Sequence, residues 1–165
     1  MNVKIIKLSY GEINVEDCMR INYAKIIKKL TENRGRREEI MRWICQYFDP
    51  NKKILIVSQF IENLEYIKEE LRKISIISEI YLSNSNDEEN YPNVILTTLQ
   101  GMLMKNFGKF DVILLTTPFG SIENLTKHIN IKYCNIIDFF DDQKIFKMFQ
   151  KKHLLYYDEN KIHIL

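Results

Sequence analysis

The sequence predicts an α/β fold in three layers: a mostly parallel sheet with helices on both faces. Three observations predict it. Apolar β-branched runs such as Ile54-Leu55-Ile56-Val57 have the character of strands buried on both sides, as in parallel sheets. These runs alternate with stretches whose apolar residues recur at helical spacing, and that alternation implies parallel strands joined by crossovers. With 165 residues, 45% hydrophobic and 28% charged, the chain is long enough for one globular domain, 1–165, with a real core.

The chain is organised around Lys53–Leu71. The strand Ile54–Val57 runs into Ser58, which is placed to cap the following helix. There Ile61, Leu64, Ile67 and Leu71 mark one face, and Glu62, Glu65, Glu69 and Glu70 the other. Polar residues at such a turn lie at the carboxyl end of a parallel strand, where open α/β sheets place ligands.

The other elements follow in order. Val3, Ile5 and Leu8, interleaved with lysines, predict a short edge-like strand ending at Gly11. Met19, Tyr23, Ile26, Ile27 and Leu30 mark a helix over Glu16–Thr31, broken by Asn33, Arg34 and Gly35. A second helix, about Arg36 to Phe48, turns Ile40, Trp43, Ile44 and Tyr47 inward and ends at Asp49-Pro50-Asn51. Beyond the central unit come a strand at Ser78–Leu82, the polar loop SNSNDEENYP, and a buried strand at Asn93–Thr97. A short helix, Leu99–Lys105, and Gly108 precede the strand Asp111–Leu115, which ends in Thr116 and Thr117 before Pro118. A helix from about Ser121 to Ile129 leads to the strand Tyr133–Asp138 and a helix over Asp141–Lys152. The tail either continues that helix or turns back as a hairpin about Asp158 to Asn160.

Composition narrows the function classes. A net charge of +2 does not by itself argue nucleic-acid binding. Cys18, Cys45 and Cys134 are odd in number and widely spaced, which indicates neither a disulfide framework nor a zinc site, and fits reduced thiols in an intracellular protein. No apolar run approaches a membrane span, and the first ten residues are too short and charged for a secretory signal. Heavy use of Ile, Lys and Asn suggests an AT-rich genome of viral type, which would place the protein in host cytoplasm or virion. Met1 and the tail favour a complete product.

No glycine opens a GxxxxGK[ST] or GxGxxG phosphate loop, and no cofactor is expected. Asp87-Glu88-Glu89 sits in a polar loop and reads as solvated. His128, His153 and His163 are too scattered for a metal site. Arg34, Arg36 and Arg37 form a basic group able to touch phosphates, although a solvated helix start explains them as well.

ENRGRREEIMRWICQYF precedes KKILIVSQFIENLEYIKEEL, and NVILTTLQGM, DVILLTTPFGSIENLTKHI and IKYCNIIDFFDDQKIFKMFQKKHLLYY follow. In that order and spacing the chain resembles, from about Tyr23 to Tyr157, the second, C-terminal RecA-like domain of superfamily-two DNA helicases. The likeness is nearest to the group of poxvirus and large-DNA-virus transcript-release helicases and their phage relatives. The resemblance implies a RecA-like fold. It also implies that Ser58, Gln59, Thr97, Thr98 and Gln100 stand where the family's fourth and fifth motifs touch the phosphates of a bound strand, with Arg34 and Arg37 as further contacts. As residues, the same hydroxyls also read as helix caps and strand ends.

The departures matter as much. On the family's sixth motif, QxxGRxxR, the glutamine falls on Asn124, the glycine on Lys127, and the two arginines on His128 and Ile131. Asn124, Lys127 and His128 would thus line a degenerate ATP-facing edge. Such arginines put a permanent cation on the transferring phosphate and speed hydrolysis roughly 10³-fold or more; a histidine is mostly neutral at pH 7 and lacks the forked donors. The fifth motif keeps Thr98 and Gln100 but has Met104, Lys105 and Phe107 at its later positions. The implied reading is a helicase-type domain without its own ATPase. It would bind nucleic acid, or a helicase, replication or transcription protein. Two alternatives stand beside it: one half of a split helicase completed by a partner, and an unrelated flavodoxin-like binding domain.

Overall fold

The computed structural model describes residues 2–11, 22–83, 91–104, 107–123 and 134–165. Its strands are β1 (Asn2–Leu8), β2 (Ile54–Ser58), β3 (Ser78–Tyr81), β4 (Val94–Thr98), β5 (Val112–Leu115), β6 (Asn135–Asp141) and β7 (His163–Ile164). Its helices are α1 (Tyr23–Glu32), α2 (Arg34–Tyr47), α3 (Ile61–Lys73), α4 (Leu99–Met104) and α5 (Lys147–Glu159), the last entered through a 3-10 turn at Lys144–Phe146. The strands form one seven-stranded sheet in the order β3-β4-β2-β5-β6-β1-β7, and every pair is parallel.

The strand period of two sorts the core into two faces. Leu55, Val57, Ile95, Ile113, Leu115 and Ile136 point to one side, where they meet Met102 of α4 and Tyr157 of α5. Ile54, Ile56, Val94, Leu96, Val112, Leu114 and Ile137 point to the other, against Ile40 and Ile44 of α2 and Leu64, Ile67 and Leu71 of α3. β2 is buried along its whole length, which is why it carries no alternation of polar residues. A smaller cluster seats Ile26, Ile27 and Leu30 of α1 on Phe146. The expected three-layer α/β architecture is therefore the one observed.

Several expected boundaries move, each for a local reason. β1 is not an edge strand, because β7 pairs with its outer side. Asn33 alone separates the first two helices: its backbone closes α1 on Leu30, while its side chain caps α2 by accepting from the Arg36 amide at 3.0 Å. Arg34 and Gly35 are thus the first residues of α2 and do not break the chain. Ser58 ends β2 and is not the cap of α3, whose N-cap is Phe60; its hydroxyl accepts from the Phe60 amide at 3.2 Å, a turn of the Ser/Thr type. β6 runs on to Asp141, which was expected to open the last helix. That helix continues to Glu159, and a turn with Lys161 at φ +52° leads into β7, so no hairpin forms. Residues 12–21 of the expected first helix, 84–90 of the polar loop with Asp87-Glu88-Glu89, and 124–133 of the helix after β5 lie outside the described residues.

Candidate functional site

From β2 the chain passes to β3 and β4 on one side, then to β5 on the other. That reversal is a topological switch point, and the carboxyl ends of strands at such a point part to leave a crevice. A cleft of about 930 Å³ lies there. Its polar lining is Gln59, Ser83, Thr98, Gln100 and Ser121, and its apolar lining includes Ile61, Leu82, Leu99, Leu103 and Phe119. No charged side chain lines it among the described residues.

Hydroxyls at the strand ends hold the walls in place. Thr116 Oγ1 donates to the Val57 carbonyl at 2.9 Å, and Asn63 Nδ2 reaches both Ser58 Oγ (3.2 Å) and Thr116 Oγ1 (3.3 Å). Thr97 Oγ1 donates to the Tyr81 carbonyl at 2.6 Å. The Gln59 amide donates to Thr117 Oγ1 at 3.0 Å, and Gln59 Nε2 to the Pro118 carbonyl. Thr98 Oγ1 accepts from the Gly101 amide at 3.1 Å and so starts α4. Gly101 lets α4 approach closely: a Cβ there would stand 2.5 Å from Thr97 Oγ1 and 3.0 Å from the Tyr81 carbonyl oxygen. Gln100 is exposed on the first turn of α4 and makes no bond within the described structure.

The structure therefore divides the residues singled out in the sequence. Gln59, Thr98 and Gln100 come together on the cleft. Ser58 and Thr97 lie just beneath it, fully buried, with their hydroxyls already bonded. Arg34 and Arg37 are elsewhere, on α2. Arg34 is exposed and pairs with Glu38 at 2.7 Å. Arg37 donates to the Thr31 carbonyl at 2.5 Å and stacks over Tyr66 at 4.2 Å. Asn124, Lys127 and His128 lie outside the described residues.

The third arginine, Arg36, corrects the expectation of a solvated helix start. It is fully buried, with Nε 2.5 Å and Nη2 3.0 Å from the Asp141 carboxylate and Nη2 2.9 Å from the Thr116 carbonyl. Tyr10 donates to the same carboxylate at 2.6 Å, and its own phenol is pushed up by burial and then by Asp141. This assembly ties α2 to the ends of β5 and β6, behind the loop that forms one wall of the cleft.

A second buried group supports the same loop. His153 Nδ1 is 2.7 Å from Asp138 Oδ2, and Nε2 is 2.8 Å from the Phe119 carbonyl. Both ring nitrogens face acceptors, which favours the doubly protonated ring. Burial pulls the imidazole pKa down, but the hydrogen bond and charge of Asp138 and the Phe119 carbonyl outweigh it and leave the value above the ordinary one. Tyr157 donates to Asp138 Oδ2 at 2.7 Å, and burial, then Asp138, raises its phenol well above 10. The sequence reading weighed His153 only as a metal ligand and gave no site role to Asp138, Asp141 or Tyr157. The available signal was the i, i+4 placement of His153 and Tyr157 on one face of α5.

No family model matches the chain, and no curated protein matches it. Solved structures do. T4 UvsW superposes on 99% of the chain with a TM-score of 0.66 at 12% identity. The fold is RecA-like, the three-layer α/β fold of this helicase structure. The C-terminal domain of the DEAD-box protein Dbp5 is similar over 78% of this chain and 81% of its own, with a TM-score of 0.59 at 10% identity. The C-terminal part of the Fun30 ATPase domain is similar over 73% of this chain, with a TM-score of 0.53 at 13% identity. The RecA-like domain spans 44% of that Fun30 chain and 40% of the UvsW chain. Among the described residues, no helix is long and apolar enough to cross a membrane, and no three His, Cys, Asp or Glu side chains group as metal ligands.

Proposed function

We propose that this RecA-like domain binds single-stranded nucleic acid along the cleft at its strand ends and does not hydrolyse ATP by itself. It would serve as a binding module of a replication or transcription apparatus, of the viral type that the composition suggests. The observation that carries the reading is the cleft itself. It sits at the switch point of a helicase-type sheet, and it presents Gln59, Thr98 and Gln100 where neutral donors can meet phosphate or sugar oxygens. Leu99, Leu103 and Phe119 beside them offer apolar surface to a base. The chain carries no phosphate loop, and His128 and Ile131 stand where the helicase family places arginines on the transferring phosphate.

Anisotropy of a fluorescent single-stranded oligonucleotide, with ATP turnover assayed in the same tube, tests this. Micromolar binding without turnover is expected. Gln100→Ala should weaken binding about 2- to 10-fold, the worth of one neutral hydrogen bond. Absence of binding at high protein concentration would sink the binding reading, and turnover by the purified chain would sink the second half. A split-helicase reading, in which a partner supplies the phosphate loop, draws on the match to only 40% of the UvsW chain. It predicts turnover only when a first RecA-like domain is added.

A further inference from the structure

A second cavity, of about 330 Å³, opens at the carboxyl ends of β1 and β6. Ser9, Tyr10 and Gly11 line one side, and Asp142, Lys144 and Lys147 the other. Its frame is fixed. The Asp142 amide donates to the Leu8 carbonyl at 3.0 Å, and Gln143 Nε2 donates to the Gly11 carbonyl at 2.8 Å, which holds the Ser9–Gly11 segment with Gly11 at φ +91°.

The two lysines are placed against the ordinary preferences of a helix. They are three residues apart, so they project to one side and repel each other. Lys147 stands at the N-terminal end of α5, where the helix dipole disfavours a cation, and no acidic residue occupies that helix's first turn. Neither α5 nor the 3-10 turn before it has a side-chain cap. Lys144 and Lys147 have no carboxylate within 4 Å among the described residues, as is also true of other lysines such as Lys4, Lys7 and Lys53, but they are the two that line this cavity together. Two unneutralised cations, a helix end of the same sign and the free Ser9 hydroxyl thus converge on one cavity. Asp142, the single acid in the lining, leaves it cationic.

We infer that this cavity is a phosphate subsite for the backbone of a bound nucleic-acid strand, with Lys144 and Lys147 as its cations and Ser9 as a neutral donor. The inference rests on the proposed nucleic-acid function and extends it. The cavity lies on the same carboxyl edge of the sheet as the cleft, with β5 and β6 between β2 and β1. At about 4.8 Å per strand the two sites are roughly 15 Å apart, so one strand crossing the edge can reach both. The division of labour is then chemical: the uncharged cleft takes sugar, base or a neutral phosphate contact, and the lysine cavity supplies the charge that releases counterions.

Salt titrations of oligonucleotide binding separate the two sites. For a single strand, each neutralised phosphate contributes about 0.7 to the slope of log affinity on log salt. Lys144→Gln with Lys147→Gln should therefore lower the slope by about 1.4, so the loss of affinity between 50 and 200 mM salt shrinks about sevenfold. The melting temperature should stay the same or rise, since a repulsive pair has been removed. Gln100→Ala should weaken binding at every salt concentration and leave the slope unchanged. A double variant that binds with wild-type affinity and slope overturns the subsite while the cleft reading stands. Wild-type protein that does not bind at all overturns both. Lysine-dependent binding of inorganic phosphate by calorimetry, with an unaltered oligonucleotide slope, would mark a free-phosphate site and also overturn the inference.

Discussion

Removal of the Asp141 carboxylate is the sharpest test of how the site is held. That carboxylate accepts from Arg36 Nε at 2.5 Å, Arg36 Nη2 at 3.0 Å and the Tyr10 hydroxyl at 2.6 Å. Both ion-pair partners are fully shielded from solvent. In Asp141→Ala the guanidinium keeps its charge and loses its counter-ion, and one end of the guanidinium, Nη1, already has no partner. Breaking such a buried pair from one side costs about 3–5 kcal/mol. Domains have about 5–15 kcal/mol in total, and at this size each kcal/mol moves the melting point about 2–4 °C. The expected drop is therefore about 6–20 °C. Replacing both charges, Arg36→Met with Asp141→Leu, removes the stranded cation and should recover most of the loss, leaving the Tyr10 hydroxyl unpaired at about 1–3 kcal/mol. Urea denaturation of the wild type, the two single variants and the double variant gives the coupling directly. A single substitution costing under about 1 kcal/mol would refute the reasoning, since that is how a solvated pair behaves. A double variant as unstable as the two singles combined would refute it too.

Three further outcomes follow from the same geometry. Gly101→Ala should destabilise by about 1–3 kcal/mol in thermal melts, because the added Cβ meets Thr97 Oγ1 at 2.5 Å; a neutral result would mean α4 can shift off β4. For His153, the folded pKa lies above the unfolded one, so its protonation contributes stability that is complete below about pH 6.5 and lost as pH rises through the folded value. The urea midpoint of wild type minus that of His153→Gln should accordingly shrink as pH is raised from about 5.5 to 8.5; a difference that grows with pH would reverse the sign. Cys45 is exposed on α2, whereas burial pushes the Cys134 thiol up to about 12. In a Cys18→Ser background a thiol reagent at about pH 8 should label Cys45 at once and Cys134 only on unfolding, and rapid labelling of both would contradict that burial.

The strands were legible because buried parallel strands advertise themselves. Ile54–Val57, Val94–Leu96 and Val112–Leu115 are apolar without alternation and end in hydroxyls. Gln59, Thr98 and Gln100 were singled out through the resemblance, and their places just after β2 and at the end of β4 bring them onto the cleft. What was not legible depends on distant partners. Arg36 has the local setting of a solvated arginine, and the acid that draws it inside is 105 residues away. Asp141 is a good helix starter in isolation, but its bond to that arginine keeps it in β6. Gly35 reads as a helix breaker, yet one asparagine earlier supplies both caps, so the break falls at Asn33 and the glycine is carried into α2. Asp138 and His153 each look solitary in sequence, and only the packing of α5 on β6 makes them a pair.

The position of β1 sets an order on the chain's assembly. Its sheet partners are β6 and β7, at residues 135–141 and 163–164, and among the described residues nothing earlier in the sequence pairs with it. At synthesis rates of about 5–20 residues per second, Leu8 waits roughly 6–25 s before its neighbour strand begins to emerge. The four strands β2, β3, β4 and β5 can pair with one another during that interval, while Val3, Ile6 and Leu8 remain without the surfaces they later fill. Of the strands of this sheet, β1 is therefore made first and is among the last to be sheltered, so the sheet's exposure to aggregation and to chaperones during synthesis is concentrated at β1.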